Sequence, residues 1–95
     1  MIPHRPGFRL WQEAKEAYDN FSEEEDRAFE AICDAIEMNP FSGKRYDEDA
    51  DGEILAHYSV FYIKGQPWHL LVGYSLRKNS NVVDLRVVKS IRKKS

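Results

Sequence analysis

The chain has 95 residues, 42% of them hydrophobic and 32% charged, a balance that fills one small core and excludes both a disordered chain and a multidomain one. No run approaches the roughly 18 apolar residues that a membrane-spanning helix needs, and Met1 to Leu10 carries two prolines and two arginines where a secretory leader carries an apolar stretch. The sequence therefore predicts one cytoplasmic domain over 1–95.

The net charge of −2 conceals a division. Residues 1–54 hold six Lys and Arg against fifteen Asp and Glu, a balance of −9, while residues 55–95 hold eight against one, a balance of +7. Such asymmetry steers a polyanion to one face, or lets a sheet neutralise its own helices.

In chain order, Pro6-Gly7 reads as a turn and Phe8-Arg9-Leu10 as the end of an edge strand or the start of a helix. From Leu10 to Phe21, Trp11, Ala14, Tyr18 and Phe21 recur at steps of three, four and three, which places them on one face of a short amphipathic helix. Ser22 meets Glu25 three residues on, a capping-box pair, and Glu23, Glu24 and Asp26 suit the positive end of a helix dipole. A second helix is predicted from here, with Phe29, Ile32, Cys33 and Ile36 inward. It stops at Met38 or Asn39, because Pro40 drives its predecessor out of helical geometry. The lone Cys33 is expected as a small core residue.

Pro40 to Gly52 holds two glycines and an acidic run, and reads as an exposed connection. Its aspartates lack the glycine and closing glutamate of a calcium loop, so no metal is assigned. Ile54 then opens a meander of three antiparallel strands to Arg92. In the first, Ile54, Ala56, Tyr58, Val60 and Tyr62 alternate with Leu55, His57, Ser59, Phe61 and Ile63, and both sets are partly apolar. After the tight connection Lys64-Gly65-Gln66-Pro67, the set Trp68, Leu70, Val72, Tyr74 and Leu76 is the expected core face. Arg77 to Asn81 supplies turn chemistry. Val83, Leu85 and Val87 are then expected inward, with Asp84, Arg86 and Val88 outward.

On that reading His69, Ser75, Arg77 and Arg86 lie opposite the helices, and Arg92 with the tail lysines continues from their edge. Cations so placed bind phosphates, and a histidine among them exchanges a proton near neutral pH. Arg77, Lys78, Lys89, Lys93 and Lys94 are the candidate nucleic-acid-binding residues. His57, among apolar neighbours, is expected to pack. No paired carboxylates, nucleophile elbow, phosphate loop or dinucleotide fingerprint occurs, which disfavours a serine or metal hydrolase and implies no cofactor. Outward placement of Phe61 and Leu71 would leave an apolar patch for a protein partner.

The order of these parts resembles the RelE/ParE toxin superfamily. The features are a helical hairpin ending in Met38-Asn39-Pro40-Phe41-Ser42-Gly43-Lys44-Arg45, then Trp68-His69-Leu70-Leu71-Val72-Gly73-Tyr74-Ser75, and a last segment from Val82 to Arg92. The resemblance spans residues 8–92 and implies an α+β fold: a strand end and helical hairpin over 8–38, packed on an antiparallel meander over 54–92, in the order β-α-α-β-β-β. It further implies a type II toxin with a cognate antitoxin that covers its active face, acting as a ribosome-dependent messenger RNA endoribonuclease, or alternatively as a DNA gyrase inhibitor or a catalytically inactive protein-binding module. The catalytic candidates it implies are His69, Arg86 and Arg92. Arg92 falls where the ribonuclease branch has a basic residue after its last strand. His69 stands where that branch has an arginine, and Val60 and Tyr62 stand near its lysines. The oligomeric state is left open, a homodimer included.

Overall fold

A computed structural model describes residues 7–49, 52–77 and 81–92. Strand β1 (Phe8–Leu10) leads into α1 (Gln12–Asp19) and α2 (Glu23–Met38), and four strands follow: β2 (Lys44–Asp49), β3 (Gly52–Ile63), β4 (Gln66–Leu76) and β5 (Val83–Arg92). They form one sheet in the order β1-β5-β4-β3-β2. The expected meander is present as β3, β4 and β5, antiparallel throughout. Two features correct the expected order. The sheet is mixed, because β1 runs parallel to β5, and the predicted exposed connection contains a strand, β2, antiparallel to β3.

Capping chemistry sets the start of α2 as expected. The Glu25 amide donates to Ser22 Oγ at 3.2 Å and the Ser22 amide donates to Glu25 Oε1 at 2.9 Å, so two otherwise orphan donors are satisfied reciprocally. The other Glu25 oxygen accepts from Ser90 on β5, which ties the helix start to the sheet. Burial alone would raise this carboxyl, but the hydrogen bonds from Ser90 and Ser22 hold it below the ordinary glutamate range.

The helices cover one face of the sheet. Phe29, Ile32, Cys33 and Ile36 of α2 and Ala14 of α1 pack there with Leu55, Phe61, Leu70, Val72, Tyr74, Val83, Leu85 and Val88. Phe29 lies within 5.3–5.5 Å of the Tyr18 and Phe21 rings, so the end of α1, the connection and α2 share one aromatic cluster. Two inward assignments differ from expectation. Phe61 belongs to the core. On β5, Val88 faces inward and Val87 outward, because the pairing passes from Gly73↔Val87 to Tyr74↔Leu85 and leaves Arg86 as an extra residue. One inserted residue shifts the alternation of everything beyond it to the other face.

The helix exit Asn39-Pro40-Phe41-Ser42-Gly43 is held by Tyr74 from the middle strand. Its hydroxyl donates to the Pro40 carbonyl at 2.7 Å and accepts from the Gly43 amide at 3.1 Å. Gly43 must be glycine here: a Cβ would lie 2.6 Å from the Tyr74 oxygen and 3.1 Å from the Ala56 carbonyl. Ser42 Oγ donates to the Asn39 carbonyl at 2.7 Å and lies 2.7 Å from His57 Nε2, so its lone pair takes the Nε2 proton of the imidazole. His57 also stacks on Tyr74 at 6.0 Å. Burial lowers its pKa, in keeping with the packing role expected of it.

Candidate functional site

The face turned away from the helices is the candidate site. Pairing places Ile54, Ala56, Tyr58, Val60 and Tyr62 of β3 on it beside His69, Leu71, Gly73 and Ser75 of β4 and Asp84, Arg86, Val87, Lys89 and Ile91 of β5. Rows cross the sheet directly: Val60, His69 and Ile91 form one, and Tyr58, Leu71 and Lys89 the next. Tyr58, Val60, Tyr62 and Ile91 are 46–61% exposed, while Ile54, Ala56 and Leu71 are buried without joining the helix-side core. The His69 ring meets the Tyr58 ring edge-on at 6.2 Å.

The opposite end of this face is polar and paired. Arg86 is 8% exposed, with its guanidinium 3.8 Å above the Trp11 ring. It forms an ion pair with Asp49 and reaches Ser75 Oγ at 3.4 Å, and its Nε is buried without a hydrogen-bond partner. Beside it, Arg77 pairs with Asp84 at 3.1 Å. The face is therefore aromatic at one end and charge-paired at the other. The continuous basic surface expected from composition does not form there, since its two arginines have carboxylate partners.

Trp11 reaches Arg86 because it sits just before α1 and not within it. Its amide donates to the Leu85 carbonyl at 3.0 Å, which extends the β1–β5 pairing by one residue. With Gln12, Glu13, Ile54 and Val87, Trp11 and Arg86 line a groove of about 310 Å³.

The sequence candidates are not drawn into one constellation. His69 and Arg86 share the open face, but four residues of strand separate His69 from Gly73, beside which Arg86 bulges. That is about 13 Å of strand. Arg92 pairs in register with Trp68, on the helix side, and donates to Gln66 Oε1 at 3.0 Å. Arg77 is committed to Asp84, and Lys89 is exposed on the open face opposite Leu71. Lys78, Lys93 and Lys94 lie outside the described residues.

Residue reading missed Trp11, Asp49, Tyr58 and Tyr62. The tyrosines were visible as a period-two set, but both faces of β3 are apolar enough that alternation cannot choose the outer one. Trp11 continued a helical spacing by coincidence of phase. Asp49 reaches Arg86 across 37 residues of sequence, which no local pattern signals.

Among the described residues no three His, Cys, Asp or Glu side chains gather to hold a metal ion, and no helix is long and apolar enough to cross a membrane. No family model matches the chain, and neither the curated proteins nor the solved structures contain a significant match.

Proposed function

We propose that the chain is the toxin of a type II toxin–antitoxin pair of the RelE/ParE type, and that its open sheet face engages messenger RNA on the ribosome and cleaves it. Support comes from the order of elements, with a strand, two helices, the Asn39-Pro40-x-x-Gly43 exit and a meander closing on Arg92. The observation that carries the reading is the open face itself. Tyr58, Tyr62 and His69 lie there beside Lys89, and Arg86 is held at one end by Trp11 and Asp49. Aromatic groups on an open sheet stack unpaired bases, and cations along it take the phosphates. In this reading His69 exchanges the proton and Arg86 takes a phosphate further along the bound strand. Arg92, which points to the helix side, must swing round the end of β5 to oppose charge developing on the scissile phosphate. Such a role belongs in the cytoplasm, with an antitoxin covering the face between uses.

The separation of His69, Arg86 and Arg92 favours a second reading, in which the same kind of toxin inhibits its target, DNA gyrase, by binding alone. Purified protein added to translating ribosomes and, separately, to a gyrase supercoiling reaction decides between them. Messenger cleavage that falls at least tenfold in both His69→Ala and Arg92→Ala supports the ribonuclease. Loss of supercoiling without cleavage supports the inhibitor. Neither effect, together with unimpaired growth of cells expressing the chain alone, would sink the toxin reading.

A further inference from the structure

Strand β5 carries one residue more than β4 beside it. Between Gly73↔Val87 and Tyr74↔Leu85 the extra residue is Arg86, and a bulge of this kind re-aims one side chain. Arg86 lies on the open face yet is only 8% exposed, with its guanidinium 3.8 Å above the Trp11 ring. A guanidinium has five N–H donors. One reaches Ser75 Oγ at a long 3.4 Å and one meets Asp49, while Nε is buried with no acceptor. Arginine–carboxylate pairs commonly close with two parallel bonds; here a single Nη2 contact holds Asp49.

The start of α1 borders the same guanidinium. Trp11 is its N-cap and offers no capping side chain, so the first-turn amides of Gln12 and Glu13 lack the kind of acceptor that Ser22 gives α2. These residues share the groove of about 310 Å³ with Arg86. Asp49 arrives from the far edge of the sheet. β3 has no β4 partner before Leu55, so Gly52 to Ile54 and Asp47 to Asp49 form a two-stranded ribbon, and ribbons twist more strongly than wide sheets. That twist brings Asp49 over the open face to Arg86. The Asp49 side chain keeps 38% of its surface in water and that of Arg86 keeps 8%, so the carboxylate lies on the solvent side of the cation.

We propose that Arg86 and the start of α1 form a binding site for a phosphate group, and that the Asp49 carboxylate stands in for that phosphate in the free protein. The donor set fits the ligand. Arg86 supplies a fixed cation with an unused Nε–H, and α1 adds uncapped amides and the positive end of its dipole. A phosphate brings more acceptor oxygens than the one carboxylate oxygen now engaged. It binds by displacing Asp49, which uncovers the guanidinium. Glu13 at the groove also opposes an anion there, so the two carboxylates keep the affinity of the free protein low. Where the phosphate belongs to a messenger strand crossing the open face, the inference rests on the toxin reading and deepens it; the site itself does not require that reading.

The isotope-labelled full chain, titrated with inorganic phosphate and separately with a short oligouridylate, is followed by heteronuclear NMR. Phosphate is expected to move the Gln12 and Glu13 amides, the Trp11 indole and the Arg86 Nε–H together. An oligouridylate that moves the same signals identifies the phosphate as that of a strand, and one that does not assigns the site to the free ion. Asp49→Asn removes one charge and should tighten phosphate binding about fivefold at low salt. Glu13→Gln should act in the same direction. Arg86→Gln in the Asp49→Asn background leaves no buried charge unpaired and should abolish binding. A purely structural ion pair predicts that Asp49→Asn loses stability and gains no affinity. Phosphate that leaves these signals in place, or that binds Asp49→Asn no more tightly than wild type, would overturn the inference. Shifts of Tyr58 and His69 with the oligouridylate would then leave the toxin reading standing, whereas phosphate binding without messenger cleavage counts against that reading alone.

Discussion

Tyr74 shows how much a single hydroxyl can hold. It bridges the middle strand to both sides of the helix exit, through Pro40 and Gly43. Tyr74→Phe leaves a carbonyl and an amide short of their partner and is expected to cost about 1–3 kcal/mol in urea denaturation. Gly43→Ala forces a contact with the same hydroxyl, so it destabilises the wild type more than it destabilises Tyr74→Phe; a double-mutant cycle reads the difference. Relief is partial, because the Ala56 carbonyl remains in the way. Glu25 supplies a pH signature. Its folded carboxyl is held below the ordinary range, so its contribution is present above about pH 4.5 and is lost as pH falls through the folded value. Denaturation midpoints followed from pH 7 to pH 3 should fall less steeply in Glu25→Gln than in wild type.

At the scale of elements, the β3–β4 turn carries a residue poorly suited to it. Lys64 occupies the left-handed region at φ 50°, where a side chain other than asparagine, aspartate or glycine is disfavoured. Lys64→Asn is expected to stabilise the protein by about 0.5–1 kcal/mol, seen as a rise in the thermal midpoint. Elements also divide sharply in how legible they were. The α2 start was readable because Ser22 and Glu25 satisfy donors three residues away, a local interaction written in local sequence. The same holds for the end of α2 before Pro40 and for the place of the β3–β4 turn, although Lys64 and Gly65 alone form it and Gln66 and Pro67, expected in the connection, belong to β4. Strand β2 was not readable. Lys44 to Asp49 has the composition of a solvated loop, and its extended form comes from pairing with β3, which a run of charges does not announce. The bulge at Arg86 was equally silent, and it reversed the assignments of Val87 and Val88.

For the whole molecule, a single core joins the helices to the sheet, and Phe29 sits at its centre. A domain of this length has about 5–14 kcal/mol of stability in all, and Phe29→Ala removes about 3–5 of it. Circular dichroism and tryptophan fluorescence should then still report one coincident transition, at lower denaturant, because the buried residues of α1, α2 and the sheet share one cluster. The charge division between the halves takes its meaning at this scale too. Part of the basic half meets the acidic half inside the fold, as Arg86 does with Asp49, and part is balanced within its own half, as Arg77 is by Asp84. Less of the +7 reaches the open face than composition implies.

What the sequence determined by itself is therefore the set of helices, the antiparallel meander and the residues of most of the core, since caps, periodicity and turn chemistry act over a few neighbouring residues. Which face of β3 is outer and where each arginine finds its partner were decided only by tertiary structure. Those outcomes depend on contacts tens of residues apart and on one inserted residue at Arg86 that reverses a strand's alternation.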